Sequence, residues 1–280
     1  MVSRRAWPAI AAVATLAVAC GQSGEPGTDD TVRYVALGDS YTAAPGAGEP
    51  VGSPPGCGRS DNNYPRLLAD RLDPEAFTDF SCGGATTEHF TTPQKTADGT
   101  NPPQLHAVTS EATLVTVGIG GNDVGLIELA NQCVAAAEEG LRCGGDMVDD
   151  RIEAVATEVA DVLEAIEAKA PKARVVVVGY PTILPNDPTA CDELPIAPAD
   201  LAYLREGLDL LNRVLKQQAD THGAEFADTA TDTAGHHMCA AENARWIEAL
   251  NSTTGAAPLH PTARGEQAMA EAVLGVLRGQ

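Results

Sequence analysis

Ser40 follows a short apolar stretch in the run Gly38-Asp39-Ser40-Tyr41, and His260 stands far downstream in Leu259-His260-Pro261-Thr262. A serine hydroxyl is a weak nucleophile until a base takes its proton, and a neutral imidazole suits that task near neutral pH. Attack on a carbonyl then creates an oxyanion, which needs hydrogen-bond donors already in place. Two further runs offer such donors. In Ser81-Cys82-Gly83-Gly84-Ala85 the bare Gly84 lets a backbone N–H come close to a substrate. In Gly120-Gly121-Asn122-Asp123 the Asn122 amide donates without a charge that would over-bind the neutral ground state. Taken singly, each has an ordinary alternative: serine caps helices and asparagine stabilises loops. Together these types suit acyl transfer from an ester.

The elements that must position them can be followed along the chain. Val32 to Leu37 is an apolar run that stops at Gly38, as a buried strand entering a functional turn would. Phe77 to Cys82 runs into Gly83, Leu114 to Val117 into Gly118, and Arg174 to Val178 into Gly179. Ala224 to Ala227 is a candidate fifth strand. Between them Ile152, Val155, Val159, Val162, Leu163 and Ile166 recur at helical spacing, as do Leu204, Leu208, Leu211, Val214 and Leu215 within 201–219. Pro261 to Leu277 is predicted as a last helix with proline at its start. Strands alternating with helices imply a parallel sheet covered on both faces, hence a three-layer α/β/α sandwich of about five strands. Ligands in such sheets sit beyond the strand carboxyl ends, where the turns at Gly38, Gly83 and Gly118 would converge.

The four runs stand in the order of the GDSL, or SGNH, hydrolase blocks, and the chain resembles that family from Val32 to its last helix, with Tyr41 where the family's name has leucine. The resemblance implies a flavodoxin-like fold and a carboxylic ester hydrolase working through an acyl-enzyme, without metal or organic cofactor. It makes Ser40 the nucleophile and His260 its base. The oxyanion hole would comprise the Ser40 and Gly84 N–H groups and the Asn122 amide. One position departs from the pattern: three residues before the histidine, where many members carry aspartate, stands Ala257. The imidazole needs only an acceptor for its Nδ1 proton, so a backbone carbonyl of Ala257 or Pro258 is expected to complete a dyad. The rival is a distant carboxylate such as Asp228 or Asp232. Asp39 and Asp123 are expected to organise their turns. His89, His106, His222, His236 and His237 lack the context of His260. A secreted actinobacterial subgroup of esterases and lipases is similar in this arrangement and in its six ordered cysteines.

Bulk properties bound the rest. A chain of 280 residues can bury one substantial core, and a formal charge of −21 repels phosphate backbones, so no nucleic-acid partner is expected. Arg4 and Arg5 precede an apolar stretch too short for a comfortable membrane span, which reads as a signal peptide over 1–19. Ala19-Cys20 resembles a lipobox end, and Ala17-Val18-Ala19 an A-x-A site. A flexible tether over 20–31 and a hydrolase domain over 32–280 would follow.

Seven cysteines is an odd number for an exported protein. Lipidation of Cys20, with membrane anchoring, would leave Cys57, Cys82, Cys133, Cys143, Cys191 and Cys239. Pairing in sequence order is the simplest connectivity, and each bridge could add about 3 kcal/mol. A structural metal is the alternative, but no C-x-x-C pair is present and His236-His237-Met238-Cys239 stands alone. The expectation is an extracytoplasmic monomer acting on lipid or small acyl esters. Rival functions are a carbohydrate O-acetyl esterase or a non-catalytic envelope lipoprotein retaining the fold.

Overall fold

The computed structural model describes residues 1–2, 31–143, 147–191 and 194–279. Cys20 and nearly all of the expected leader and tether lie outside the described residues. In chain order, β1 (Arg33–Gly38) enters the one-turn helix α1 (Ser40–Ala43), and α2 (Tyr64–Leu72) precedes β2 (Ala76–Asp79). A hairpin of β3 (Gln94–Thr96) and β4 (Gly99–Asn101) follows, then β5 (Leu114–Gly118), the short α3 (Gly121–Val124), α4 (Leu126–Glu138) and the long α5 (Met147–Lys169). The last elements are β6 (Arg174–Val178), α6 (Pro198–Thr221), β7 (Glu225–Ala227), α7 (Thr229–Thr233) and α8 (Ala263–Arg278).

Five strands form one sheet in the order β2-β1-β5-β6-β7, and every neighbouring pair is parallel. Alternation along β1 separates two cores. Tyr34 and Ala36 pack with Tyr64 and Leu68 of α2 and with Met269, Val273 and Leu274 of α8. Val35 and Leu37 face the opposite layer, where Ile152, Val155, Val159, Val162, Leu163 and Ile166 of α5 meet Leu211 and Leu215 of α6. Burying each of these side chains stabilises the fold by roughly 1.5 to 3 kcal/mol. The result is the three-layer α/β/α sandwich that the alternating pattern implied.

From β1 the chain crosses to β2 on one side and returns to β5 on the other. The strand order therefore reverses between β1 and β5, which opens a crevice at their carboxyl ends, where Gly38 and Gly118 are paired in register.

Several boundaries differ from expectation by a few residues, and two of them have a local cause. β2 covers Ala76–Asp79 rather than Phe77 to Cys82, because the Asp79 carboxylate accepts from the Ser81 N–H and hydroxyl and turns the chain. The last helix begins at Ala263 instead of Pro261, since Pro261 is extended in a bridge to Ile247 and Thr262 is the N-cap. Disulfides join Cys57 to Cys82, Cys133 to Cys143 and Cys191 to Cys239, in sequence order. No described helix is long and apolar enough to cross a membrane.

Candidate active site

Ser40 is the first residue of α1, and Asp39 is its N-cap, accepting from the Tyr41 N–H at 2.9 Å. The turn has no room for a side chain at position 38. Gly38 has φ of 151°, and a Cβ there would lie 2.2 Å from Thr42 Oγ1 and 2.5 Å from the Gly118 carbonyl. Buried Gln104 clamps the same residue from both sides, accepting from the Gly38 N–H at 2.7 Å and donating to its carbonyl at 2.9 Å. The strand end that launches Ser40 is thus fixed by groups with no freedom to relax.

His260 approaches from the loop before α8. Its Nε2 lies 2.7 Å from Ser40 Oγ, and its Nδ1 lies 2.8 Å from the Pro258 carbonyl oxygen. A carbonyl can only accept, so Nδ1 must carry a proton, and in the neutral ring Nε2 is then the bare nitrogen that accepts from the serine. The Ala257 carbonyl accepts instead from the His260 backbone N–H at 3.1 Å. Asp228 caps α7 through Thr231, and among the described residues neither it nor Asp232 hydrogen-bonds the imidazole.

The ring stacks on Tyr41 with centroids 4.7 Å apart, and the Tyr41 hydroxyl donates to the Leu259 carbonyl at 2.8 Å. Leu259 has φ of 66°, a left-handed conformation costing about 1 to 2 kcal/mol for a residue with a Cβ. Burial lowers the His260 pKa below the ordinary histidine value, opposed in part by the Pro258 bond.

Candidate oxyanion donors surround Ser40. Among the described residues the backbone N–H groups of Ser40 and Gly84 donate to no protein acceptor. Gly84 has φ of 74°, and the turn that carries it is tied to the Ser40 side by the Cys57–Cys82 disulfide and a 2.9 Å bond from Gly83 N–H to the Cys57 carbonyl. The Asn122 amide donates one hydrogen to the Ala85 carbonyl at 2.8 Å, which fixes its plane and leaves a second hydrogen for another acceptor. Asp123 accepts from the Thr87 N–H and hydroxyl, holding the Gly84 turn and the Asn122 turn together, as expected for a turn-organising residue.

The Asp39 carboxyl is almost fully buried, and its second oxygen accepts from the Tyr180 hydroxyl at 2.5 Å. That hydroxyl in turn accepts from the Gly121 N–H at 2.7 Å, so one tyrosine joins the Ser40 turn to the Asn122 turn. Burial pushes the Asp39 pKa up to about 7, although the hydrogen bonds from Tyr180 and Tyr41 oppose the rise.

An apolar cavity opens beside Ser40. One wall is α4, with Leu126, Ile127 and Val134; the other is the segment after β6, with Leu184, Leu194 and Ile196. The Cys133–Cys143 bridge secures the first wall and Cys191–Cys239 the second. Among the described residues no lysine or arginine lines the cavity. An arrangement of this kind can draw a proton from a serine, receive an oxyanion and house an uncharged chain.

Ser40, His260 and Asn122 therefore converge as the sequence reading anticipated. Gln104, Tyr180 and Glu248, which anchors the histidine loop, were missed. Tyr180 carried a signal, because it follows the glycine after β6; Gln104 opens a single 3-10 turn and Glu248 lies in a loop, and neither had one. Among the described residues no group of three or more histidine, cysteine, aspartate or glutamate side chains is placed to hold a metal.

Residues 36–268 match the model of the GDSL-like lipase/acylhydrolase family. Lipase 2 of Streptomyces coelicolor is 37% identical, over 96% of this chain and 95% of the relative. Among solved structures, an extracellular lipase from Streptomyces rimosus superposes with a TM-score of 0.70 at 30% identity, covering 89% of this chain and 99% of the other. A phospholipase A1 from Streptomyces albidoflavus superposes with a TM-score of 0.69 at 28% identity, with the same coverage.

Proposed function

The chain belongs to the GDSL-like lipase/acylhydrolase family and is a carboxylic ester hydrolase, and from that premise we propose that it is exported and cleaves lipid or small acyl esters with a Ser40–His260 dyad. The observation that carries the dyad is the hydrogen-bonded line from Ser40 Oγ through the imidazole to the Pro258 oxygen. His260 takes the Ser40 proton as Oγ attacks the ester carbonyl, a contribution on the order of a hundred- to ten-thousandfold. The Ser40 and Gly84 N–H groups and the Asn122 amide receive the oxyanion. The imidazolium then returns its proton to the leaving alcohol, and water, deprotonated by the same nitrogen, releases the acid from the acyl-enzyme. The Pro258 oxygen holds the tautomer as a carboxylate would, without adding a charge.

The apolar cavity supports an acyl chain as the part of the substrate held beside Ser40, and the absence of lining cations favours an uncharged group there. Export is supported by the leader-like start and by three intrachain disulfides, which leave Cys20 as the unpaired seventh cysteine and so favour its acylation.

The test is hydrolysis of p-nitrophenyl esters of graded chain length by the purified protein, Ser40→Ala and His260→Ala. Both variants are expected to fall to background while remaining folded. Wild-type turnover in either one would overturn the dyad. Intact mass of protein recovered from its native host checks the Cys20 assignment, since diacylglycerol adds a mass that unmodified cleavage does not.

A further inference from the structure

The Pro258 oxygen orients the imidazole only if its loop is held still, and one buried carboxylate supplies most of that hold. Glu248 is fully buried, twelve residues before His260. One of its oxygens accepts from the Thr254 hydroxyl at 2.5 Å, the Thr254 N–H at 2.9 Å, and the Thr253 N–H and Ser252 hydroxyl at 3.3 Å each. The other accepts from the Ala249 N–H at 3.0 Å and lies 3.3 Å from the Arg245 guanidinium. The carboxylate therefore closes the 249–254 segment around itself.

Its backbone holds the other end of the same loop. The Glu248 N–H donates to the His260 carbonyl at 2.8 Å, and the Leu259 N–H donates back to the Glu248 carbonyl at 3.1 Å. Between these anchors lie Ala256, Ala257 and Pro258, with the Ala257 N–H tied to the Pro45 carbonyl at 2.9 Å. Loop and catalytic candidate are thus held by the same residue from both sides.

Building on the dyad reading, we propose that Glu248 is a positioning residue for the reaction, fixing the Pro258 carbonyl so that His260 keeps its Nδ1 proton and faces Ser40. The role of an acid beside the imidazole is divided in two: a neutral oxygen makes the contact, and a carboxylate outside contact range supplies the rigidity. Burial acts to raise the Glu248 pKa, but the hydrogen bonds from Thr254, Ala249 and Thr253 outweigh it and hold the group below the ordinary glutamate value. It is therefore charged at neutral pH.

The experiment compares Glu248→Ala, Glu248→Gln and Thr254→Val with the wild type for kcat, KM and the acidic limb of the pH profile. Displacement of a positioned group by an ångström can cost about a hundredfold, so Glu248→Ala is expected to lose roughly ten- to a hundredfold in kcat with KM little changed. Water admitted around the loosened imidazole should move the acidic midpoint upward, towards the ordinary histidine value. His260 hydrogen-bonds Ser40 and the Pro258 carbonyl and stacks on the Tyr41 ring, none of them charged at that pH, while Asp39 beside Ser40, with its pKa pushed up to about 7, is unchanged in all three variants.

Glu248→Gln keeps one acceptor oxygen and should recover part of kcat. Thr254 is exposed, and Thr254→Val removes one hydroxyl without changing shape, so it should fold even if Glu248→Ala does not; a several-fold loss of kcat with the same upward shift is expected. Lowered thermal stability with wild-type kcat and midpoint in Glu248→Gln and Thr254→Val would overturn the proposal. An active His260→Ala would instead overturn the dyad and leave the loop anchoring intact.

Discussion

Replacing Asp39 by asparagine should leave stability nearly unchanged at pH 4.5 and raise it at pH 8. The carboxyl is 1% exposed, and its pKa is pushed from the ordinary value near 4 up to about 7, chiefly by burial. Between those values the unfolded chain releases its proton while the folded chain keeps it, so stability falls as pH rises through the window and levels off above it. The full loss is about 4 kcal/mol, of which about 3 kcal/mol falls between pH 4.5 and 8.

Asparagine has no proton to release. It keeps the acceptor for Tyr41 N–H but turns an NH2 towards the Tyr180 hydroxyl, which already accepts from Gly121. The weakened bond costs about 1 kcal/mol at every pH. Asp39→Asn should therefore match the wild type near pH 4.5, where the wild type has already lost about 1 kcal/mol, and be more stable by about 3 kcal/mol at pH 8. Urea unfolding at both pH values, at constant ionic strength and with disulfides intact, measures this. A difference between the two proteins that is the same at both pH values would refute the reasoning. Carrying a charge cost beside Ser40 is what a site selected for activity over stability would show.

Three further outcomes are expected. Asn122→Ala should lower kcat by about a hundred- to a thousandfold with little change in thermal stability, and a loss confined to KM would remove Asn122 from the oxyanion hole. Glu266 is buried at the start of α8, accepts from the Tyr64 N–H at 2.7 Å, and burial raises its pKa well above the ordinary value. Its folded pKa being raised, it destabilises the fold as pH climbs, so Glu266→Gln should raise Tm at pH 8 and leave it nearly unchanged at pH 4; a lower Tm at pH 8 would refute this. Because burial lowers the His260 pKa and the base must be neutral, initial rates should rise with pH through a midpoint below about 6.5, also in Asp39→Asn, where the neighbouring titration is absent. A midpoint above neutrality would argue against His260 as the base.

How far the sequence reached depended on the range of the interaction. Glycine stops at the ends of β1, β5 and β6 are local chain properties, and the core face of α5 is a repeat within one helix; both could be followed residue by residue. Gln104 clamps Gly38 from 66 positions away with no local signal to announce it, and Tyr180 reaches Asp39 across 141, marked only by its place after the glycine that follows β6. α4 was missed for another reason. Its residues line the cavity as well as the core, a double use that shows only once the opposite wall after β6 is in place. For His260, the alanine at 257 in place of the resembled family's aspartate points to a carbonyl of Ala257 or Pro258, with Asp228 or Asp232 as rivals. Choosing between the two carbonyls required knowing that the Ala257 carbonyl is engaged by the His260 N–H.

In the proposed dyad the oxygen that accepts from the Nδ1–H belongs to the peptide backbone, and that alters what genetics can see. Every amino acid at position 258 brings the same carbonyl, so alanine scanning erases nothing there and would count one fewer contributor than is at work. Its absence from such a scan would be an artefact of the genetic code, which edits side chains and leaves the amide repeat untouched. Chemical synthesis has no such blind spot: an ester in place of the amide between Pro258 and Leu259 weakens that carbonyl as an acceptor with every side chain in place, and it also removes the Leu259 N–H that donates to the Glu248 carbonyl.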